Sequence, residues 1–422
     1  MSGEKIATVI IFILLFRVTP LLAAQSVPLT LPEAEHIAIS IAPELQRLQA
    51  TREALKQQSI ADRQLPDPKL MAGAINVPTD TFSFTQDDMT MIEVGLQQSF
   101  PPGHSLAVKS RQTQARALAE QRKITEQTAI LLRTVREIWL NLYYWTEAAR
   151  VIHENQLLYQ HLLKVTESQY SVGKGNQSDV LQVQLELSRL DDQQVQVQQQ
   201  IDELQAQLGR YIGQDQAIRP LSNQLPHWLN PPPLTIFQDR LQQHPLLKVD
   251  AANIEAAREE VAFAREQYKP GFTVDVGYSV RQGRFANGMR RSDMMGAQVT
   301  MDLPIFTHNR QDRRLQASAE QLAATQFEQQ IHYRDLLKEL EAQYALWQRF
   351  SERVSLYQKQ LVPEAKQNSK AALLAYQSAT TELTTVLRAY SNELTIQLEQ
   401  LQIEVARAKT RANLFYLEGA TK

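Results

Sequence analysis

The chain has 422 residues, enough for two or three ordinary domains, with 44 basic against 46 acidic side chains, a balance that offers nothing to a nucleic acid or other polyanion. It contains no cysteine, which excludes disulfides, thiolate metal centres, thiol nucleophiles and a lipid anchor on an N-terminal Cys. Only 14 glycines argues against a globular α/β enzyme, whose turns consume more of them.

In chain order, Lys5 precedes an apolar run from Ile6 to Phe16, and the small residues of "LLAAQ" follow. Residues 1–24 therefore read as a signal peptide for export. Arg17 interrupts the run before the roughly 20 apolar residues that a spanning helix needs. No later segment reaches that length, so any membrane insertion must use strands. Glu33 to Gln64 reads as the first helix, and strands follow at about 69–76 and 90–100, with Pro66, Pro68, Pro101 and Pro102 at their boundaries. From His104 to Val172 nothing breaks a helix, which implies a rod of roughly 100 Å at 1.5 Å per residue. Leu131, Val135, Ile138, Leu142, Trp145, Ala149 and Ile152 step along it by four and three, as in a heptad seam. The interruption "YSVGKGNQSDVL" (Tyr170 to Leu181) reads as a hairpin tip at 171–179, relaxed by Gly173 and Gly175. It is not a phosphate loop, because GxxxxGK[ST] is absent and no strand feeds it. A second rod returns with the seam Val183, Leu187, Leu190, Gln194, Val197, Ile201, Leu204, Leu208 and Tyr211.

The stretch 220–244 is Pro-rich and reads as a linker. Beyond it the pattern recurs: a helix from Leu246 to Tyr268, strands at about 272–281 and 295–303, and a helical hairpin with its tip at 377–385. Pro43, Ala50, Glu53, Ala54 and Pro68 fall on Pro245, Ala252, Glu255, Ala256 and Pro270 at an offset of about 202, and Tyr170, Val180 and Leu181 on Tyr376, Val386 and Leu387 at about 206. Two internal repeats, 25–219 and 245–422, are the economical reading.

The strands alternate. Phe272, Val274, Val276, Tyr278 and Val280 oppose Thr273, Asp275, Gly277, Ser279 and Arg281. Ala297, Val299, Met301 and Leu303 oppose Gln298, Thr300 and Asp302, and Ile92, Val94 and Leu96 oppose Glu93, Gly95 and Gln97. Strands of 9–11 residues with one apolar face suit a barrel wall between lipid and water. Four strands cannot close a barrel, and open edges do not survive in lipid, so several chains must pool them. Three chains give twelve strands; two or four remain arithmetically open. A soluble coiled-coil scaffold or periplasmic adaptor is the alternative from another class.

"LTLPEAEHIAISIAPELQRLQA" near the start, "YSVGKGNQSDVLQVQLELSRL" at the first tip, "QYKPGFTVDVGYS" entering the third strand and "VTMDLPIF" leaving the fourth resemble the outer membrane efflux proteins of the TolC-like family. The resemblance covers essentially the whole mature chain. It implies a mixed α and β membrane protein: a trimeric twelve-stranded outer membrane β-barrel, continued by a long α-helical coiled-coil tunnel through the periplasm. It also implies a passive exit duct of a tripartite pump in a Gram-negative bacterium. The implied partners are two further copies of the chain, a periplasmic adaptor, an inner membrane RND-type transporter and outer membrane lipid, with no cofactor. "LPDPKLMAGAINVP" followed by "MTMIEVGLQQSFPPG" is similar to the branch serving heavy-metal resistance pumps. Drug or organic-solute efflux and type I secretion are alternatives on the same fold.

On this reading Glu93, Asp275, Gln298 and Asp302 line the barrel, and Gly173, Gly175, Asp179, Glu382, Thr385 and Arg388 border the periplasmic tips. Family members carry entrance aspartates where this chain has Thr385 and Arg388, so cation preference does not carry over. Arg388 would repel cations unless Glu382 or Asp179 pairs with it, or it turns outward into an interhelical salt bridge. No catalytic, cofactor or metal site is expected: the eight histidines form no i, i+4 pair, and no nucleophile elbow or glycine fingerprint occurs. Met71, Met89, Met91, Met289, Met294 and Met295 fall near strands or outer loops and read as filler or lipid-facing surface rather than as soft-metal ligands.

Overall fold

The computed structural model describes residues 27–419; the expected signal peptide lies outside the described residues. The first helix is not continuous from 33 to 64. It divides into α1 (Leu31–Ile41) and α2 (Pro43–Ala61) because Pro43 drives Ala42 out of the helical region, to φ −60°, ψ 108°. Thr30 caps α1 by accepting the Glu33 N–H at 3.4 Å. Strands β1 (Lys69–Ile75) and β2 (Met91–Phe100) lead into α3 (Ser105–Ser171), one helix of 67 residues. After the tip, α4 (Gln177–Ile212) returns, and Gly213 at φ +86° ends it before a single turn, α5 (Gln214–Ala217).

The stretch 220–244 packs against the rest of the chain. Leu29 pairs with Leu221 in an isolated parallel bridge, and α6 (Leu234–Leu241) buries Phe237 and Leu241 against Leu336 and Leu340. Helix α7 (Pro245–Glu266) follows, capped by His244, whose Nδ1 accepts the Leu246 N–H at 3.2 Å while Nε2 lies 3.0 Å from the Tyr416 carbonyl. Burial pushes the His244 imidazole down to about 4, so the ring is neutral and donates through Nε2. Strands β3 (Phe272–Arg281) and β4 (Met294–Met301) come next. The fourth strand thus begins and ends earlier than 295–303.

The second pair of rods differs from the first. Helix α8 (Gln311–Leu356) runs into a π turn at Tyr357–Leu361 and then α9 (Val362–Gln377), before α10 (Leu383–Leu417) completes the chain. The cause is Pro363, which has no N–H to give and crowds the carbonyl one turn back. The wider turn relieves that clash, with Val362 N–H reaching the Tyr357 carbonyl five residues earlier.

Helix α3 is the axis of the helical body, packing on α2, α4, α7 and α10. Its middle buries Trp139, Leu140 and Leu142 against α1 and the end of α4, with Trp139 and Tyr143 stacked at 5.7 Å. Nearer the tips, Tyr159 and Leu162 meet Val183 and Leu190 of α4 and Val386 and Tyr390 of α10. Full burial of each such side chain stabilises by roughly 2 kcal/mol. The order helix, two strands, long helix, returning helix occurs twice along the chain.

Candidate pore wall and helical tips

The four strands form one antiparallel sheet in the order β1-β2-β3-β4, with β1 and β4 as its edges. Register decides what shares a face, because directly paired residues point the same way. The row Ala72, Val94, Tyr278, Met295 and the row Leu70, Leu96, Val276, Ala297 lie on one face. The row Lys69, Gln97, Asp275, Gln298 and the row Gly73, Glu93, Ser279, Met294 lie on the other. Among the described residues nothing covers the apolar face: Leu96 is 57% exposed, Val299 64% and Met295 76%.

Glu93, Asp275 and Gln298 therefore share the polar face, as expected from the alternation. The Gln97 amide donates to Asp275 at 2.7 Å. Glu93 leans across Gly277, its carboxylate filling the space that a side chain there would take. Asp302 lies one residue beyond β4, where its backbone N–H donates to the Gly271 carbonyl at 2.9 Å and carries the pairing with β3 one step further. The methionines also divide. Met295 and Met301 are on the apolar face, whereas Met71, Met91 and Met294 are on the polar one.

At the end of the sheet away from the helices, the loops 76–90 and 282–293 are tied together by a residue the sequence reading passed over. Arg291 is buried; its Nη1 donates to the carbonyls of Thr85, Asp87 and Gln282, and its Nη2 pairs with Asp88 at 2.5 Å. Arg281 beneath it donates through Nε to the Ser292 carbonyl at 2.7 Å. The "RQGRFANGMRRSD" arginine density was the available signal.

The two helical tips use one backbone device. In the first, Gly173 N–H reaches the Tyr170 carbonyl and Lys174 N–H the Gln169 carbonyl; in the second, Ala379 reaches Tyr376 and Thr380 reaches Ala375. Both are helix C-terminal closures with a left-handed residue, Gly173 at φ +74° and Ala379 at φ +55°. Gly175 lies at the turn into α4, where an added Cβ would come within 3.2 Å of the Tyr170 amide nitrogen. The tips touch through the Gln169 amide, which donates to the Tyr376 carbonyl at 3.3 Å. Burial, and then the charge of Asp179, raises the Tyr376 phenol above its ordinary range.

Glu382 stands at the N-cap of α10, and Thr385 and Arg388 lie exposed on the face opposite the buried Val386 and Ala389. Among the described residues no ion pair joins Arg388 to Glu382 or Asp179, and no interhelical salt bridge holds it. The contact between tips brings Asp179 to Tyr376, the residue before the second tip, and not into an ion pair with the charged residues of α10.

Residues 236–420 match the family described as outer membrane efflux protein. The match takes in the second half of the chain, from α6 to the end of α10. Members of that family are channels, not enzymes. Solved structures show the same fold over most of the chain. The outer-membrane channel OprN is 15% identical, covering 92% of this chain and 90% of its own, with a TM-score of 0.77. The outer membrane protein VceC of Vibrio cholerae is 17% identical over 92% and 96%, with a TM-score of 0.76. CusC, solved in a study of folding and transmembrane channel formation, is 17% identical over 94% and 93%, with a TM-score of 0.75. No curated protein matches the chain. Among the described residues no helix is long and apolar enough to cross a membrane.

Proposed function

We propose that the chain is one subunit of a trimeric outer membrane duct that passively conducts solutes delivered from an inner membrane RND-type transporter through a periplasmic adaptor. The observation that carries this reading is the four-stranded sheet, with one uncovered apolar face and two unpaired edges, set at the end of 100 Å-scale rods. Such a sheet is stable in lipid only when neighbouring copies close it, and three copies make a twelve-stranded barrel. Glu93, Asp275 and Gln298 then face the lumen, and the two repeats supply alternate pairs of strands and rods. Export through residues 1–24 and residence in the outer membrane of a Gram-negative bacterium follow from the same reading, with residues 220–244 as the belt between repeats.

The cargo we favour is heavy-metal cations, on the resemblance of the strand region to the metal-resistance branch. Organic solutes are the second reading, supported by Arg388, three unneutralised copies of which at a narrow entrance oppose cations. Two measurements test this. In planar bilayers, the purified chain is expected to give discrete conductance steps, and replacing Arg388 with Ala is expected to shift ion preference toward cations. A strain lacking the protein, profiled against copper, zinc, cobalt and dyes, assigns the cargo. A detergent-free soluble monomer with no conductance would sink the duct itself.

A further inference from the structure

Four arginines lie within the β3–β4 hairpin, and they divide into two kinds. Arg281 and Arg291 are buried and spend their guanidinium groups on Asp88 and on loop carbonyls. Arg284 and Arg290 are exposed and face each other in an isolated antiparallel bridge at the hairpin's end. Like charges directly opposed on paired strands destabilise a hairpin. Among the described residues neither makes an ion pair; Arg284 donates to the Gly288 carbonyl at 3.0 Å, and Arg290 feels the charge of Asp293 without pairing to it. The carboxylate of Asp293 is itself held by the Tyr278 hydroxyl at 2.8 Å and the Arg281 amide. The turn around the pair is well built, with Phe285 N–H on the Met289 carbonyl at 2.9 Å and Gly288 at φ +84°.

Position indicates what the pair is for. The hairpin tip stands past the end of the apolar face, beyond Tyr278, Val280 and Met295, with exposed Met289 beside it. On the duct reading above, on which this inference rests, that is the level of the lipid headgroups. We propose that Arg284 and Arg290 together bind the phosphate of an outer-leaflet lipid headgroup. Two adjacent guanidinium forks on one phosphate form charge-assisted, bidentate hydrogen bonds and turn the repulsion of the bridge into attraction.

The test uses the full chain in neutral detergent, with acyl-chain-labelled phosphatidylglycerol and phosphatidylcholine as probes read by fluorescence anisotropy. Wild type is expected to prefer phosphatidylglycerol. The double variant R284Q/R290Q is expected to lose about thirtyfold in that affinity, about fivefold for each arginine near an anionic surface. The double variant R284K/R290K keeps the charge but not the forks and is expected to fall between wild type and R284Q/R290Q, a graded loss that a folding defect would not give. Preference unchanged in R284Q/R290Q overturns the proposal, as does inorganic phosphate competing as strongly as the lipid, since that describes a free-anion site. Bilayer recordings on the same wild-type protein keep the two readings apart: lipid preference without conductance sinks the duct alone, and conductance without lipid preference sinks the headgroup site alone.

Discussion

Ala379 holds a conformation that costs an L residue about 1 kcal/mol, because its Cβ crowds the following carbonyl at φ +55°. Gly173 takes the same position in the first tip at no such cost. Ala379→Gly is expected to slow amide exchange around residues 374–383, a gain of about 0.5–1 kcal/mol. Gly173→Ala is expected to speed it in the first tip. The offset of 206 had already placed Ala379 on Gly173, so the strain was legible once the first tip was read as a turn. His244 was not legible, since a lone histidine before a proline carries no pattern. Its folded pKa of about 4 lies below its unfolded value of about 6.5. The neutral cap therefore contributes stability fully above pH 6.5, and that contribution is lost as pH falls through 4. Denaturation midpoints of the detergent-solubilised chain are expected to drop over this window by on the order of 3 kcal/mol more in wild type than in His244→Asn, which keeps a capping oxygen but does not titrate.

Heptad seams made the rods readable at the scale of elements, and the burial follows them closely. Leu190 on the α4 seam is 5% exposed, whereas Leu185, five residues away, is 53% exposed. Leu190→Ala is expected to cost about 2–4 kcal/mol and Leu185→Ala under about 0.5 kcal/mol, read from the guanidinium midpoint of the helical signal. What the seams did not convey is where a rod yields. Pro43 and Pro363 each override a helical pattern, but in different ways: the first breaks the helix at Ala42, the second is absorbed by a π turn. Which outcome occurs depends on the neighbours that must stay in register, and those come from distant sequence. Strand ends share this difficulty. Glu93, Asp275 and Gln298 followed from period-2 alternation, and Asp302 continues it with its backbone paired to Gly271, yet β4 ends one residue before it.

The whole molecule poses one question, which face of the sheet meets lipid, and two neighbouring residues on β4 answer it. Gln298 pairs with Asp275 on the polar face, and Val299 pairs with Val274 on the apolar face. In a soluble half-buried sheet both positions are edge-strand residues in the isolated chain, exposed, and an arginine at either one is tolerated. In a lipid-embedded barrel the two differ sharply. An arginine on the lipid side costs about 2–4 kcal/mol near the midplane, and a trimer suffers it three times. An arginine in a water-filled lumen costs little but adds three positive charges to the conduction path. Val299→Arg is thus expected to abolish the heat-modifiable oligomer on gels and the insertion of channels into bilayers. Gln298→Arg is expected to keep the oligomer and to conduct with reduced preference for cations. If both variants assemble equally well, the apolar face does not lie in lipid, and the sheet is an interface to protein instead.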